Sequence, residues 1–189
     1  MGRSRVKVAL LGNVRADLQR FAARSKLWHF ALAFGLQALI VYRLGRWLQY
    51  GRHPLWRVLK APLTPVHWLA ELLVRWAYDI RLDVSAEIGP GLYIGHLGGI
   101  VVRDCQLGAN CSIHQRVRIE PLPGGTSGPA IGDRVWIGSH AQVLGPVRIH
   151  AGATVAAGSV VIQDVPASCL VIGSPARVVR WDYDNSSLL

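Results

Sequence analysis

Residues 131–166 divide into six consecutive hexads, IGDRVW IGSHAQ VLGPVR IHAGAT VAAGSV VIQDVP. Every hexad begins with Ile or Val, and its fifth residue is Val, Ala or Ser. Upstream, aliphatic residues continue the pattern, with one extra residue after the fourth of them: Leu82, Ile88, Ile94, Ile100, Leu107, Ile113 and Ile119. Thirteen hexads with aliphatic first positions indicate a repeat architecture.

This repeat predicts a parallel β-helix in which three hexads form one triangular coil. First residues fill the axis, fifth residues pack beside them, and Gly or small polar residues turn the corners. Coils stack about 4.8 Å apart, the spacing of paired strands. Thirteen hexads predict just over four coils. The turn-rich stretch EPLPGGTSGPA (120–130) interrupts the repeat and is predicted to project as a loop.

The first part of the chain differs from the repeat in charge and pattern. Residues 1–79 contain thirteen Lys or Arg and three acids, whereas residues 80–189 contain eight of each, so the whole net charge of +10 lies in the first part. We predict a mainly β fold with a helical region over 1–80, a β-helix over 81–180 and a frayed tail over 181–189.

Two helices are predicted in the first part. The segment KLWHFALAFGLQALIVYRLGRWLQY (26–50) has an uninterrupted apolar core of 13 residues, from Phe30 to Tyr42. Because a membrane crossing needs roughly 20 residues, we expect a buried or interfacial helix. Thr64 followed by Pro65 predicts the start of a second helix, after breaks at 51–54 and 61–65.

The first part also carries five of the seven tryptophans, at positions 28, 47, 56, 68 and 76. Tryptophans mixed with Lys and Arg favour an anionic membrane surface, and a helical oligomerisation cap with a basic rim explains them equally well. The chain contains no recognised nucleic-acid motif, so no nucleic-acid partner is predicted.

The three cysteines form no metal-like CxxC pattern: Cys105, Cys111 and Cys169. They are predicted to be reduced, packed thiols in a reducing compartment, and no metal site is expected. The N-terminal apolar run is too short for a signal peptide, so a cytoplasmic location is expected.

Residues 82–180 resemble the bacterial hexapeptide-repeat acyltransferases, in particular the serine acetyltransferase-like branch. The segments that carry the resemblance are IGPGLYIGHLGGIVV (88–102), NCSIHQRVRI (110–119), IGDRVWIGSHAQVLGPVRI (131–149) and GSVVIQDVPASCLVIGSPARVV (158–179). The resemblance implies a left-handed β-helix that forms a homotrimer, with larger assemblies through the N-terminal helices. It also implies acetyl transfer from acetyl-CoA to an acceptor hydroxyl, without an acyl-enzyme and without a metal.

The resemblance implies a catalytic base. His96, within YIGHLGG, matches the family's catalytic histidine, whose imidazole removes the proton of the acceptor hydroxyl. Where the family has a carboxylate that orients this imidazole, the chain has Arg81. Asp83 lies two residues on and points to the same side of an extended segment. It is the candidate orienting carboxylate, with a plain surface acid as the alternative.

The residues implied for acetyl-CoA binding lie on two coils, in the loop and near the C-terminal end. Ser139 and Ala157 are third residues of their hexads, 18 residues apart, so they stack on adjacent coils and offer backbone groups to the pantetheine arm. Gly138 and Gly158 allow the pantetheine arm to approach the backbone closely. Gly124 and Gly125 in the loop resemble the family's mobile cover, and Arg177 is implied to meet the nucleotide phosphates.

The acceptor is predicted from departures from the family pattern. Serine acetyltransferases hold the ammonium group of serine with acidic residues, and the matching positions here are Gly95 and Arg20, while a family histidine matches Gly128. These departures favour another acceptor, and the branch suggests a saccharide of polysaccharide biosynthesis. His114, one coil after the base, and Arg116 are predicted to line the acceptor site, although an exposed strand histidine is the simpler explanation of the former.

Two alternatives stay open. The first is a serine O-acetyltransferase of cysteine biosynthesis with an altered acceptor site. The second is a non-catalytic β-helix that serves as an assembly scaffold, which the departures at Arg81 and Gly128 favour.

Overall fold

A computed structural model of the chain describes residues 10–24, 34–51, 56–96 and 98–189. Within these residues, three helices precede fifteen short strands. The helices are α1 (Leu10–Arg24), α2 (Phe34–Tyr50) and α3 (Trp56–Tyr78). The strands are β1 (Ile80–Leu82), β2 (Glu87–Ile88), β3 (Tyr93–Ile94), β4 (Ile100–Val102), β5 (Gln106–Leu107), β6 (Ser112–Ile113), β7 (Arg118–Glu120), β8 (Ala130–Ile131), β9 (Trp136–Ile137), β10 (Gln142–Leu144), β11 (Arg148–Ile149), β12 (Thr154–Val155), β13 (Val160–Val161), β14 (Leu170–Gly173) and β15 (Ala176–Arg180).

The strands form three sheets, one on each side of a triangular prism. Sheet A contains β1, β4, β7, β10 and β13, sheet B contains β2, β5, β8 and β11, and sheet C contains β3, β6, β9, β12, β14 and β15. All pairings within the prism are parallel, and only β15 runs antiparallel to its neighbour. The prediction of a parallel β-helix preceded by helices is confirmed.

The prism has five coils rather than just over four. The fifth coil is completed by Val165, which bridges to Ile149, and by Val171, which pairs with Val155. Val165 follows the axial residue Val161 after four residues instead of six. The hexad rule therefore ends at Val161, although the chain continues to wind around the same core.

The axis of the prism is filled as the repeat predicts. The aliphatic first residues of the hexads are buried, and so are the fifth residues from Val135 to Val165. One register prediction is wrong: Val102, not Ile100, pairs with both Leu82 and Ile119 in the axial row of sheet A. The spacing from Ile94 to Val102 is eight residues, so the intervening corner is two residues longer than the repeat requires.

A buried ion pair joins the helices to the first coil. The Nε of Arg43 in α2 lies 3.0 Å from a carboxylate oxygen of Asp17 in α1, and both side chains are almost fully buried. Arg43 also donates to the carbonyl oxygens of Ile88 and Gly89. The Asp17 carboxylate accepts from the backbone N–H groups of residues 91 and 92. Four hydrogen bonds to backbone thus fix both helices to one corner.

The helical part differs from prediction in the third helix. Residues 26–33 and 52–54 lie outside the described residues, and Gly51 follows the end of α2, its N–H donating to the carbonyl oxygen of Trp47. Thr64 does not start a helix: it lies inside α3, and its hydroxyl donates to the carbonyl oxygen of Lys60 at 2.7 Å. α3 thus continues through Pro62 and Pro65, although neither residue supplies an N–H donor to the helix. None of the described helices is both long and apolar enough to cross a membrane.

The two predicted irregular segments have different outcomes. The loop between β7 and β8 projects as expected, with residues 122–127 exposed. The tail is not frayed. Asn185 is buried, and its side-chain amide donates to the carbonyl oxygens of Arg134 and Gly152 on successive coils. The tail therefore packs along the stack, because one amide satisfies two coils at once.

Candidate active site

The predicted base and the predicted pantetheine residues lie along one corner of the prism. Ile94, Ile113, Ile137 and Val155 are in register in sheet C. The residues two positions beyond them therefore form a column at the corner that leads to sheet A: His96, Gln115, Ser139 and Ala157. The exposed imidazole of His96 lies at the end of this column nearest the helices.

The His96 corner is the two-residue-longer corner described above. The end of α3 and the start of β1 hold it through three backbone donors. Gly98 donates to the carbonyl oxygen of Tyr78 at 3.0 Å, Gly99 to the Asp79 carboxylate at 2.9 Å, and Ile100 to the carbonyl oxygen of Asp79 at 3.1 Å. Gly98 and Gly99 have φ values of 93° and 67°, which favour glycine. The glycines let this corner protrude with the histidine.

The carboxylate that contacts the corner is Asp79, which the sequence did not identify. Asp83 was the candidate, but its carboxylate accepts from the N–H of Ser85 at 2.8 Å and so belongs to the turn after β1. Arg81, which matches the family's carboxylate position, lies 3.7 Å from Asp79 in an exposed ion pair. Asp79 lies between the last helix and the first strand of the prism. An acid at this junction, beside the first coil, was the signal in the sequence that could have identified it.

A second imidazole occupies the space beside Gly95. A Cβ atom at Gly95 would lie 2.8 Å from Nδ1 of His114, so an acidic side chain there requires the imidazole to move. The rings of His96 and His114 are 6.1 Å apart between centroids, and Trp136 packs 4.9 Å from His114 on the next coil. The structure thus brings the two predicted histidines together within one chain.

The other departures from the family pattern also have structural partners. Arg20 in α1 donates to the buried hydroxyl of Ser112 at 3.1 Å. A Cβ atom at Gly128 would lie 1.8 Å from the carbonyl oxygen of Asp104, so this backbone path has no room for a histidine. Arg20 thus has a hydrogen-bond partner in the first coils, and Gly128 lies directly against the backbone of a neighbouring segment.

The arginines after His114 have different surroundings. Arg116 is exposed, and its N–H donates to the carbonyl oxygen of Gly98, which places it against the His96 corner. Arg118 instead forms an ion pair with Glu120 at 2.6 Å, and Arg103 pairs with the same carboxylate at 3.1 Å. These two arginines hold the base of the projecting loop.

The predicted acetyl-CoA residues fall into two groups. Ser139 and Ala157 stack on adjacent coils, and the N–H of Gly158 donates to the carbonyl oxygen of Ser139 at 2.8 Å. A Cβ atom at Gly138 would lie 2.6 Å from the backbone nitrogen of Ala157, so close coil stacking requires glycine there. Arg177, on β15 at the end of the same sheet, donates to the side-chain oxygen of Gln163.

The loop glycines lie elsewhere in the chain. Gly124 and Gly125 follow sheet A and precede sheet B, whereas the His96 column lies between sheets C and A. One chain therefore does not bring the predicted cover to the predicted base. Within the described residues, no cluster of three His, Cys, Asp or Glu side chains is arranged to hold a metal ion.

Comparison with known proteins places the chain in a family. Residues 128–163 match the bacterial transferase hexapeptide family (six repeats). The chain is 30% identical to the serine acetyltransferase of Mycobacterium tuberculosis, over 90% of this chain and 72% of that protein. The chain belongs to the hexapeptide-repeat transferases, in their serine acetyltransferase branch. The serine acetyltransferase of Synechococcus elongatus is 33% identical, over 84% of this chain and 62% of that protein.

Solved serine acetyltransferases have the same fold. The crystal structure of the Neisseria gonorrhoeae protein in complex with serine gives a TM-score of 0.74 at 28% identity, covering 92% of this chain and 70% of that one. The soybean apoenzyme gives 0.70 at 33% identity, covering 90% and 69%. The prediction of a left-handed β-helix is confirmed. The chain spans 54% of the Escherichia coli serine acetyltransferase and 62% of the Synechococcus one.

These comparisons contradict the prediction of a saccharide acceptor. The relatives and solved neighbours in this branch are serine acetyltransferases. That prediction took the missing acids at Gly95 and Arg20 as evidence of a different acceptor. In the structure, His114 and Ser112 account for these two positions by local packing, so the missing acids do not indicate a sugar.

Proposed function

We propose that this protein transfers the acetyl group of acetyl-CoA to the hydroxyl of serine. The observation that carries the proposal is the column of His96, Ser139 and Ala157 along one corner of a serine acetyltransferase-branch β-helix. At about 4.8 Å per coil, Ser139 lies roughly 10 Å from His96 along the stack. An extended pantetheine arm on the outer coils would thus place its thioester near the imidazole.

In the proposed reaction, His96 acts as the general base. Its imidazole takes the hydroxyl proton while the serine oxygen attacks the thioester carbonyl carbon. The C–S bond then breaks, the new ester forms, and the CoA thiolate receives the proton from the imidazolium. Asp79 contributes by holding the corner through its bond to Gly99. Arg116 and His114 flank the acceptor side of the same corner.

A homotrimer and a cytoplasmic location are part of the proposal. The exposed His96 corner and the projecting loop lie at different corners of one chain, which favours a second copy that supplies the cover. All three cysteines are free and buried, which suits a reducing compartment.

The test is release of free CoA from acetyl-CoA, followed with a thiol reagent. Burial raises the pKa of the Cys105 thiol to about 12 and that of Cys111 to about 11, so the protein's own thiols react slowly. We expect release to depend on serine, with no increase from monosaccharides. His96→Ala should lower kcat by about 10²–10⁴-fold, the contribution of a general base.

His150→Ala is the matched control, because His150 is an exposed histidine on another corner of the prism. It should leave kcat unchanged. Serine-independent release equal to the full rate, or wild-type activity in His96→Ala, contradicts the proposal. Failure to bind acetyl-CoA at all supports the scaffold alternative.

A further inference from the structure

The outer face of α3 is an apolar surface with its polar groups at the edges. Twelve residues between 61 and 77 are exposed, and only Thr64 and Arg75 among them are polar. The large members of this α3 face, with the exposed fractions of their residues, are Val66 at 59%, Trp68 at 65%, Leu69 at 52%, Leu72 at 47%, Leu73 at 54% and Trp76 at 85%. At 100° per residue they cover roughly 160° of the helix circumference.

The opposite side of α3 packs against the rest of the protein. Val74 and Tyr78 pack against the hydrophobic core, and the His67 imidazole lies 3.2 Å from the carbonyl oxygen of Val41 in α2. The apolar surface is therefore not a core face turned outward by a loose helix. A contiguous apolar patch of this size indicates an interaction site.

The net charge of residues 1–79 favours one kind of partner. All three acids of residues 1–79 are in ion pairs: Asp17 with Arg43, Glu71 with Arg75, and Asp79 with Arg81. The region's thirteen basic residues therefore leave a strong positive excess. Two copies that met through this face would bring two such regions together, whereas an anionic lipid surface complements both the charge and the apolar face.

We propose that the α3 face binds an anionic membrane surface, with the helix lying in the plane of the interface. Trp68 and Trp76 lie eight residues apart, about two helical turns, and indole rings favour the boundary between headgroups and acyl chains. The leucines between them enter the acyl region. This function is separate from acetyl transfer and does not depend on the acceptor.

The test is sedimentation of the full chain with vesicles of phosphatidylglycerol and phosphatidylcholine, compared with phosphatidylcholine alone. We expect binding to the anionic vesicles only, and weaker binding as the salt concentration rises. The double variant Trp68→Ser/Trp76→Ser should bind the anionic vesicles at least about tenfold more weakly than the wild type. Trp181→Ser is the matched control, since Trp181 is 64% exposed on the distant C-terminal tail, and it should bind like the wild type.

Circular dichroism and serine-dependent CoA release identify a variant that fails to fold. The rate of CoA release without vesicles should be equal in the wild type, the double variant and the control variant. Absence of wild-type binding to anionic vesicles overturns the proposal. Equal binding of the Trp68/Trp76 variant overturns the role of α3. If the wild type does not bind vesicles and light scattering shows that the double variant loses a larger assembly, the face binds a second copy instead.

Discussion

At the residue scale, two of the departures from the family pattern coincide with close contacts that leave little room for a side chain. Gly95 has His114 against it, and Gly128 has the Asp104 carbonyl oxygen against it, so neither backbone position accepts a side chain without movement. The missing side chains at these two positions therefore reflect local packing and do not by themselves identify the substrate. Contacts at this scale also distinguish two nearby carboxylates, because Asp79 accepts a hydrogen bond from the His96 corner and Asp83 accepts one from its own turn.

Replacement of these two carboxylates gives a direct comparison. Asp79→Ala removes the acceptor of the Gly99 N–H, and we expect kcat to fall at least about tenfold, because small displacements of a catalytic group are costly. Asp83→Ala should leave kcat nearly unchanged. Asp79→Asn retains an acceptor oxygen and should restore part of the loss. Steady-state kinetics with serine measure all three, and equal losses in the two alanine variants would contradict the assignment.

At the element scale, the helices and the β-helix are joined through one buried ion pair. Asp17 and Arg43 satisfy each other and four backbone groups of the first coil. Tyr42 adds a hydroxyl that donates to the carbonyl oxygen of Ala86 at 2.7 Å, and burial raises its pKa to about 12. The orientation of α1 and α2 on the prism depends on these polar contacts as well as on apolar packing.

Removal of one partner from this pair should be costly. Asp17→Ala leaves a buried guanidinium and two backbone N–H groups without their acceptor, and we expect a loss of about 3–5 kcal/mol in the free energy of unfolding. Glu71→Ala, which breaks the exposed pair with Arg75, should cost about 0–1 kcal/mol. Urea unfolding followed by circular dichroism compares them. A similar, small effect of both would show that the buried pair does not anchor the helices.

At the scale of the whole molecule, the five-coil prism places the predicted site residues and the projecting loop on different corners. One corner carries His96 and the stacked Ser139 and Ala157, another carries the projecting loop, and the helices cover the first coil. A single chain leaves the His96 corner exposed. The proposed reaction needs a site that excludes water from the thioester, so a neighbouring copy is expected to complete it.

The assembly prediction is a homotrimer. Light scattering should give a mass of about 62 kDa, three times the 20.7 kDa chain, or a multiple of it where the helical parts associate. His96→Ala should keep this mass, because the exposed imidazole supports no core contact. A protein that is monomeric and fully active would show that one chain completes the site by itself.

The sequence determined the repeat and the inward residues. An aliphatic residue at every sixth position can be buried in one row only if the chain winds as a prism. The sequence therefore sufficed to assign Ile88, Ile113 and Ile137 to the core. The repeat predicted one extra residue after Ile100, whereas the structure has two extra residues before Val102, at the His96 corner. The sequence could not distinguish Ile100 from Val102, because both are aliphatic and both are buried. Only pairing with Leu82 and Ile119 distinguishes them.

The tertiary structure alone decided which polar groups meet. The Asp17–Arg43 pair joins residues 26 positions apart, and the Asp79–Gly99 bond joins residues 20 positions apart. Neither follows from a local period, since hydrogen bonds depend on where distant segments cross rather than on alternation along one segment. Periodicity thus specified the core of this protein, and chain crossing specified the surroundings of its candidate active site.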